Sequence, residues 1–262
     1  MIPLAYIREW RNKVPWQDDH MVEQDLIICR SLSEIYCNDF LSENLAFRGG
    51  TALHKLFFNP QPRYSEDIDL VQIKPAPIKE TIAEIQKTLK FLGKSEVRQK
   101  ASNNTIVFKV PSESNNSVLI KLKIEINCRE HYNVLGIQKV IFKPDSSWYN
   151  STCELQTYRI EELLGTKLRA LYQRSKGRDL FDLYKAITVL NPDRSAIIKC
   201  YKEYMKKSVD KPPTKKQFLR NMDEKITDTE FTGDTKALLR PDENYIPEIA
   251  WNLIKTALVE NL

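Results

Sequence analysis

The run Asp67-Ile68-Asp69-Leu70-Val71 is the segment that most narrows what this chain can fold into. Acid alternates with aliphatic residue, and side chains leave a strand on alternate faces. As a strand it presents Asp67 and Asp69 on one face and Ile68 and Leu70 on the other. Upstream, Gly49-Gly50-Thr51 forms a glycine turn suited to close approach by phosphate. Two hard oxygen ligands beside such a turn are the arrangement that holds Mg²⁺ against the phosphates of a nucleotide.

The chain has 262 residues, enough for one large domain or two small ones. With 42% hydrophobic and 29% charged residues, its composition is that of a soluble globular protein. No run of about 18 apolar residues occurs, so no membrane partner is expected. The first ten residues lack the basic and apolar stretches of a signal peptide. Cys29, Cys37, Cys128, Cys153 and Cys200 are odd in number, scattered and without a CxxC pair. That pattern argues against a disulfide framework or structural zinc site and points to a cytoplasmic location. The net charge of +5 is compatible with a polyanionic partner without requiring one.

Periodicity predicts a short helix over 2–13 and a longer one from Asp18 or Asp19 to about Ser42. The stripe Val22, Leu26, Cys29, Leu32, Ile35, Tyr36 and Phe40 forms the longer helix's core face. Leu45-Ala46-Phe47 reads as a strand entering the glycine turn, with a helix over Thr51–Phe58 behind it. A helix over Pro77–Leu92 and strands at 105–110, 118–127, 138–142 and 153–158 follow, separated by linkers at Pro111–Asn116 and Lys143–Ser147. From Ile160 onward the periodic segments are helical, at about 160–174, 178–190, 193–207, 214–225 and 244–259. The fold class expected is α+β. Residues 1–158 would form a mixed sheet core with N-terminal helices, and 159–262 a helical domain that completes the site.

Three groups carry candidate chemistry. Gly49, Gly50 and Thr51 open a helix whose free N–H groups and positive dipole end favour phosphate. Asp67 and Asp69 supply metal ligands. In Val118–Asn127, Lys121, Lys123, Glu125 and Asn127 share one strand face. If this strand pairs beside the first, Glu125 joins the two aspartates as a third ligand or as general base. The third group begins at Lys167. Lys167, Arg169, Arg174, Lys176 and Arg178 place five cations within 12 residues, a density suited to a triphosphate or nucleic-acid backbone. Asp179 and Asp182, three apart on a helix, are neighbours that can position Lys167.

Taken in order, Phe47-Arg48-Gly49-Gly50-Thr51-Ala52-Leu53, Arg63-Tyr64-Ser65-Glu66-Asp67-Ile68-Asp69-Leu70, the Lys167 helix and Arg178-Asp179-Leu180-Phe181-Asp182-Leu183 resemble the AbiEii/AbiGii nucleotidyltransferase toxins, within the DNA polymerase β-like nucleotidyltransferase superfamily. The motifs span residues 47–183. The resemblance implies an Mg²⁺-dependent enzyme that uses an NTP as co-substrate, modifies RNA (in several relatives the tRNA 3′ end) and is encoded beside an antitoxin. By position, Gly49, Gly50, Thr51, Arg63 and Ser65 would contact the nucleotide, and Asp67 and Asp69 would bind the metal. Ser65 is also a position where some relatives are phosphorylated during neutralisation. Lys167 and Arg178 would meet the triphosphate, with Asp182, or else Asp179, completing the site. Two alternatives stay open: transfer to a small molecule or protein, and non-catalytic nucleotide binding.

Overall fold

The computed structural model describes residues 2–99, 103–115 and 117–262. Asn116, the end of the expected Pro111–Asn116 linker, lies outside the described residues. Two compact units are present: residues up to Asn133 with Ile137–Tyr158, and Val134–Gly136 with Arg159–Leu262.

The first unit contains helices α1 (Leu4–Arg11), α2 (Asp19–Tyr36), α3 (Asp39–Asn44), α4 (Gly49–Phe57) and α5 (Ile78–Thr88). Its strands are β1 (Leu45–Arg48), β2 (Asp67–Gln72), β3 (Ser95–Gln99), β4 (Asn103–Pro111), β5 (Leu119–Asn127), β6 (Ile137–Phe142) and β7 (Cys153–Tyr158). They form one mixed sheet in the order β3-β4-β5-β2-β1-β7-β6. The β2–β5 and β1–β7 pairs are parallel and the other pairs antiparallel. The α+β class expected from the sequence is the class observed.

Alternation settles the sheet's two faces. Phe47, Ile68, Leu70, Ile106, Phe108, Leu122, Ile124 and Ile126 are buried on one face. Helix α2 packs against β5 and β7, and its Val22, Leu26, Cys29, Leu32, Ile35 and Tyr36 are buried as the periodicity predicts. Helix α4 is locked to α2 by a buried ion pair, Lys55 Nζ to Asp25 Oδ1 at 2.8 Å. Trp10 Nε1 donates to the other Asp25 oxygen at 3.0 Å. Burial opposes the Lys55 charge, yet Asp25 holds it above the ordinary lysine range. Two further α2 side chains brace the polar strands. Gln24 donates to the carbonyls of Glu66 (3.2 Å) and Lys121 (3.1 Å), just ahead of the acids on β2 and β5. Glu23 accepts from Ser112 Oγ at 2.7 Å and from the Glu113 amide at 3.0 Å, tying down the turn after β4.

Four local expectations change. The long helix ends at Tyr36 rather than Ser42, because Asn38 accepts from the Leu41 amide and caps a separate α3; Phe40 belongs to α3 and is only half-buried. Gly49 and Gly50 form the first turn of α4, instead of preceding it. The helix expected over Pro77–Leu92 stops at Thr88 and gives way to a short 3₁₀ turn at Lys90–Leu92. Strand β3 was not expected: Ser95-Glu96-Val97-Arg98-Gln99 is an edge strand with almost every side chain exposed, so no apolar alternation marks it.

The second unit is helical: α6 (Ile160–Gln173), α7 (Gly177–Val189), α8 (Arg194–Ser208), α9 (Lys215–Ile226), α10 (Thr229–Gly233) and α11 (Pro247–Ala257). Helix α6 packs closely on α8 because position 165 is glycine; a Cβ there would lie 2.5 Å from the Cys200 Cβ. Buried Glu162 accepts from the amides of Val134 (2.7 Å) and Leu135 (2.9 Å) and from the Tyr204 hydroxyl (2.8 Å), which binds the 134–136 segment to this unit. Among the described residues no helix is long and apolar enough to cross a membrane.

Candidate active site

The polar face of the first unit's sheet is built by register. Strands β2 and β5 run parallel with Asp67 opposite Lys123 and Asp69 opposite Glu125. The strand carrying Glu125 therefore lies beside the aspartate strand, with all three carboxylates on the face opposite Ile68, Ile124 and Ile126. Lys123 sits between two of them: its Nζ is 3.0 Å from Asp67 Oδ2 and 2.9 Å from Glu125 Oε1. The three side chains are 37%, 34% and 32% exposed respectively, so solvent and solutes reach them. Partial burial works against the Lys123 charge, but hydrogen bonds to Glu125 and Asp67 raise its pKa well above the ordinary lysine value. Asn103 donates to the second Glu125 oxygen at 3.3 Å. From β1, Arg48 stands opposite Asp69 and pairs with Glu130.

The N-terminus of α4 meets this face. Gly49 has φ +80°, a conformation that glycine adopts without strain. A Cβ at Gly49 would fall 2.1 Å from Asp69 Oδ2, so the absence of a side chain is what seats the carboxylate. A Cβ at Gly50 would fall 2.6 Å from a terminal nitrogen of Arg63. Arg63 is buried and donates to its neighbour's carbonyl, that of Tyr64, at 2.8 Å. Thr51 Oγ1 lies 2.7 Å from Ser65 Oγ and also donates to the Asp67 carbonyl. The structure thus brings together Gly49, Gly50, Thr51, Arg63, Ser65, Asp67, Asp69 and Glu125. Arg63 lies against Gly50 with its side chain buried.

The donor set fits Mg²⁺. Among the described residues no group of three His, Cys, Asp or Glu side chains forms a metal cage. Mg²⁺ does not need one, because it keeps several waters and binds through one or two carboxylates plus substrate phosphates. Asp67 and Asp69 are all-oxygen donors on one face, and the Lys123 ammonium shows that the Asp67–Glu125 side of this face already accommodates a cation.

In the second unit, Lys167 Nζ is 3.0 Å from Asp179 Oδ1 and 2.9 Å from Asp182 Oδ2. Both aspartates are fully buried and Lys167 is 7% exposed. Arg174 adds a two-pronged contact to Asp179, at 2.7 and 2.9 Å. Burial pushes against the Asp179 charge, but Lys167 and Arg174 hold its carboxyl below the ordinary aspartate value. Lys176 and Arg178 both face Asp234, at 3.7 and 3.4 Å, and the Arg178 amide donates to it at 3.1 Å. The Arg169 guanidinium stands 5.3 Å from the Tyr204 ring centre. The five cations read from the sequence as a phosphate-binding cluster therefore all have internal partners. Sequence reading gave Lys123 and Asp234 no role. The alternation that puts Lys123 beside Glu125 was a usable signal for the first; nothing local marks the second, 56 residues from Arg178.

A family model described as nucleotidyl transferase AbiEii toxin, type IV toxin–antitoxin system, matches residues 30–254. Among solved structures, MenT4, the nucleotidyltransferase toxin Rv2826c of Mycobacterium tuberculosis, aligns with a TM-score of 0.65 at 14% identity, covering 99% of this chain and 89% of that one. JHP933 from Helicobacter pylori aligns with a TM-score of 0.58 at 16% identity, over 92% of each chain. At such identities these likenesses show a shared fold. No curated protein matches the chain in sequence.

Proposed function

Because the chain belongs to the AbiEii nucleotidyltransferase toxin family, we propose that it is an Mg²⁺-dependent toxin that transfers a nucleotidyl group from an NTP to RNA, at the tRNA 3′ end. The observation that carries this reading is the register placing Asp67, Asp69 and Glu125 on one sheet face, with the α4 N-terminus against Asp69. The acceptor hydroxyl oxygen attacks the α-phosphorus. The bond from that phosphorus to the bridging oxygen breaks, pyrophosphate leaves, and the hydroxyl proton passes to Glu125 or water.

The amides at the start of α4 bind phosphate oxygens, and Thr51 and Ser65 line the same pocket. Asp67 and Asp69 hold Mg²⁺, which when bound neutralises charge developing on the phosphates. Lys167 serves the triphosphate, with Asp182 and Asp179 orienting its ammonium and Arg178 supporting the α7 end. A cognate antitoxin and a cytoplasmic setting, where NTPs and tRNA occur, complete the proposal.

The internal pairing of Lys167, Arg169, Arg174, Lys176 and Arg178 favours a second reading, in which the acceptor is a small molecule or protein. Such pairing leaves these cations less available to an RNA backbone than their density alone suggests. Incubating the chain with each α-³²P-labelled NTP and Mg²⁺, against total tRNA, protein extract and small-molecule pools in parallel, separates the two. Label on tRNA supports the RNA reading; label in another pool, with tRNA unlabelled, overturns it.

A further inference from the structure

Among the described residues, Lys123 is the one lysine that bridges Asp67 and Glu125 on the polar face, with nearly equal hydrogen bonds to each. Its place is set by register, because it stands opposite Asp67 in the parallel β2–β5 pair and two residues before Glu125. Without it, Asp67 and Glu125 would stand diagonally across adjacent strands, two residues out of register, with no shared cation. Asp69 stands directly opposite Glu125, so the face carries three like charges that repel one another. A divalent cation bound through Asp67 would share its carboxylate with the ammonium, which already engages Oδ2, and the two positive charges would compete for it.

We propose that Lys123 is a built-in counter-cation of the carboxylate face, holding Asp67 and Glu125 in register in the metal-free protein and competing with the divalent metal for their oxygens. The inference rests on the metal-site reading above. Lys123 acts through Asp67 and Glu125, so it is a positioning residue. Its presence lets the strands assemble with their acids aligned before metal arrives, and it weakens metal binding until a phosphate-bearing ligand adds further oxygens. The chain thereby favours metal delivered with nucleotide over metal alone.

The test is Mn²⁺ binding to the full chain by calorimetry, with thermal unfolding in EDTA and in Mn²⁺, for wild type, Lys123→Met, Lys123→Arg and Asp69→Asn. Lys123→Met should bind Mn²⁺ more tightly, by roughly two- to fivefold, the range a part-exposed ion pair supports. It should melt earlier than wild type in EDTA, by an amount that shrinks with added salt, and gain more from Mn²⁺ than wild type does. Lys123→Arg, which keeps the charge, should stay near wild type in both measurements. Unchanged or weaker Mn²⁺ binding by a folded Lys123→Met would overturn the competition. So would equal effects from Met and Arg, which would assign the change to packing. If wild type and Lys123→Met both bind no Mn²⁺, or Asp69→Asn binds it as well as wild type, the metal-site reading itself fails and this inference falls with it.

Discussion

Replacing Gly49 with alanine tests how the glycine turn and the metal ligand depend on each other. The added Cβ would lie 2.1 Å from Asp69 Oδ2, where ordinary contacts begin at 3.4 Å. The carboxylate must therefore retreat by more than 1 Å or the helix must shift. The left-handed φ of +80° adds a backbone penalty of about 1–2 kcal/mol for any residue with a Cβ. A displacement of this size at a reacting centre costs about 10²-fold in rate. Gly49→Ala should then lose roughly 1–2 kcal/mol by urea unfolding and about 10²-fold in NTP transfer. Gly93→Ala is the control, because Gly93 has φ +82° and no atom within 4 Å of its virtual Cβ. It carries a like backbone penalty without the clash, so it should lose about 1–2 kcal/mol and keep full transfer. Wild-type transfer by Gly49→Ala, or an equal loss of transfer in Gly93→Ala, would refute the reasoning.

Other consequences are as direct. Asp179→Ala removes one of the two buried carboxylates that hold Lys167 while Asp182 remains, so its cost in denaturant unfolding should fall below the roughly 3–5 kcal/mol of a buried charge left alone. Because the folded-state pKa of Asp179 is lowered, the stability it contributes is fully present above the unfolded value near 3.8 and disappears as pH falls through the lower folded value. Unfolding midpoints followed downward from neutral pH should decline less steeply in Asp179→Asn than in wild type. Lys55→Met should destabilise the first unit by about 3–5 kcal/mol, since it leaves Asp25 buried without its cation. Burial pushes the Cys29 thiol up to about 12, and the Cys153 and Cys200 thiols likewise, whereas Cys37 is exposed. Iodoacetamide at pH 8 should label Cys37 in the native protein and leave Cys29, Cys153 and Cys200 unmodified until it unfolds.

Much of the first unit was legible because its signals are local. Alternation in Asp67–Val71 and Val118–Asn127 named two strands and the face each acid would occupy, and the α2 stripe named a buried surface. Pairing is not a local property. That β5 lies beside β2, in a register setting Asp69 against Glu125, follows from how the whole sheet assembles. Strand β3 escaped notice because edge position, and not apolar alternation, makes it a strand. The break before α3 was hidden because the apolar spacing runs on through Phe40 while a single cap, Asn38, ends the helix. Charge density is silent about partners: Asp179 and Asp182 were legible beside Lys167 from their helical spacing, whereas Asp234 and the Tyr204 ring, which engage Lys176, Arg178 and Arg169, lie far away in sequence.

The central claim is that the acidic face of the β2–β5 pair is where nucleotidyl transfer occurs. Asp69→Asn keeps the shape of the side chain while removing its charge, so the fold should persist. Measured as α-³²P-NTP transfer with saturating Mg²⁺, and with unfolding checked in parallel, the variant should lose about 10²-fold or more of wild-type activity while its unfolding midpoint stays close to wild type. Wild-type transfer by folded Asp69→Asn would contradict the account.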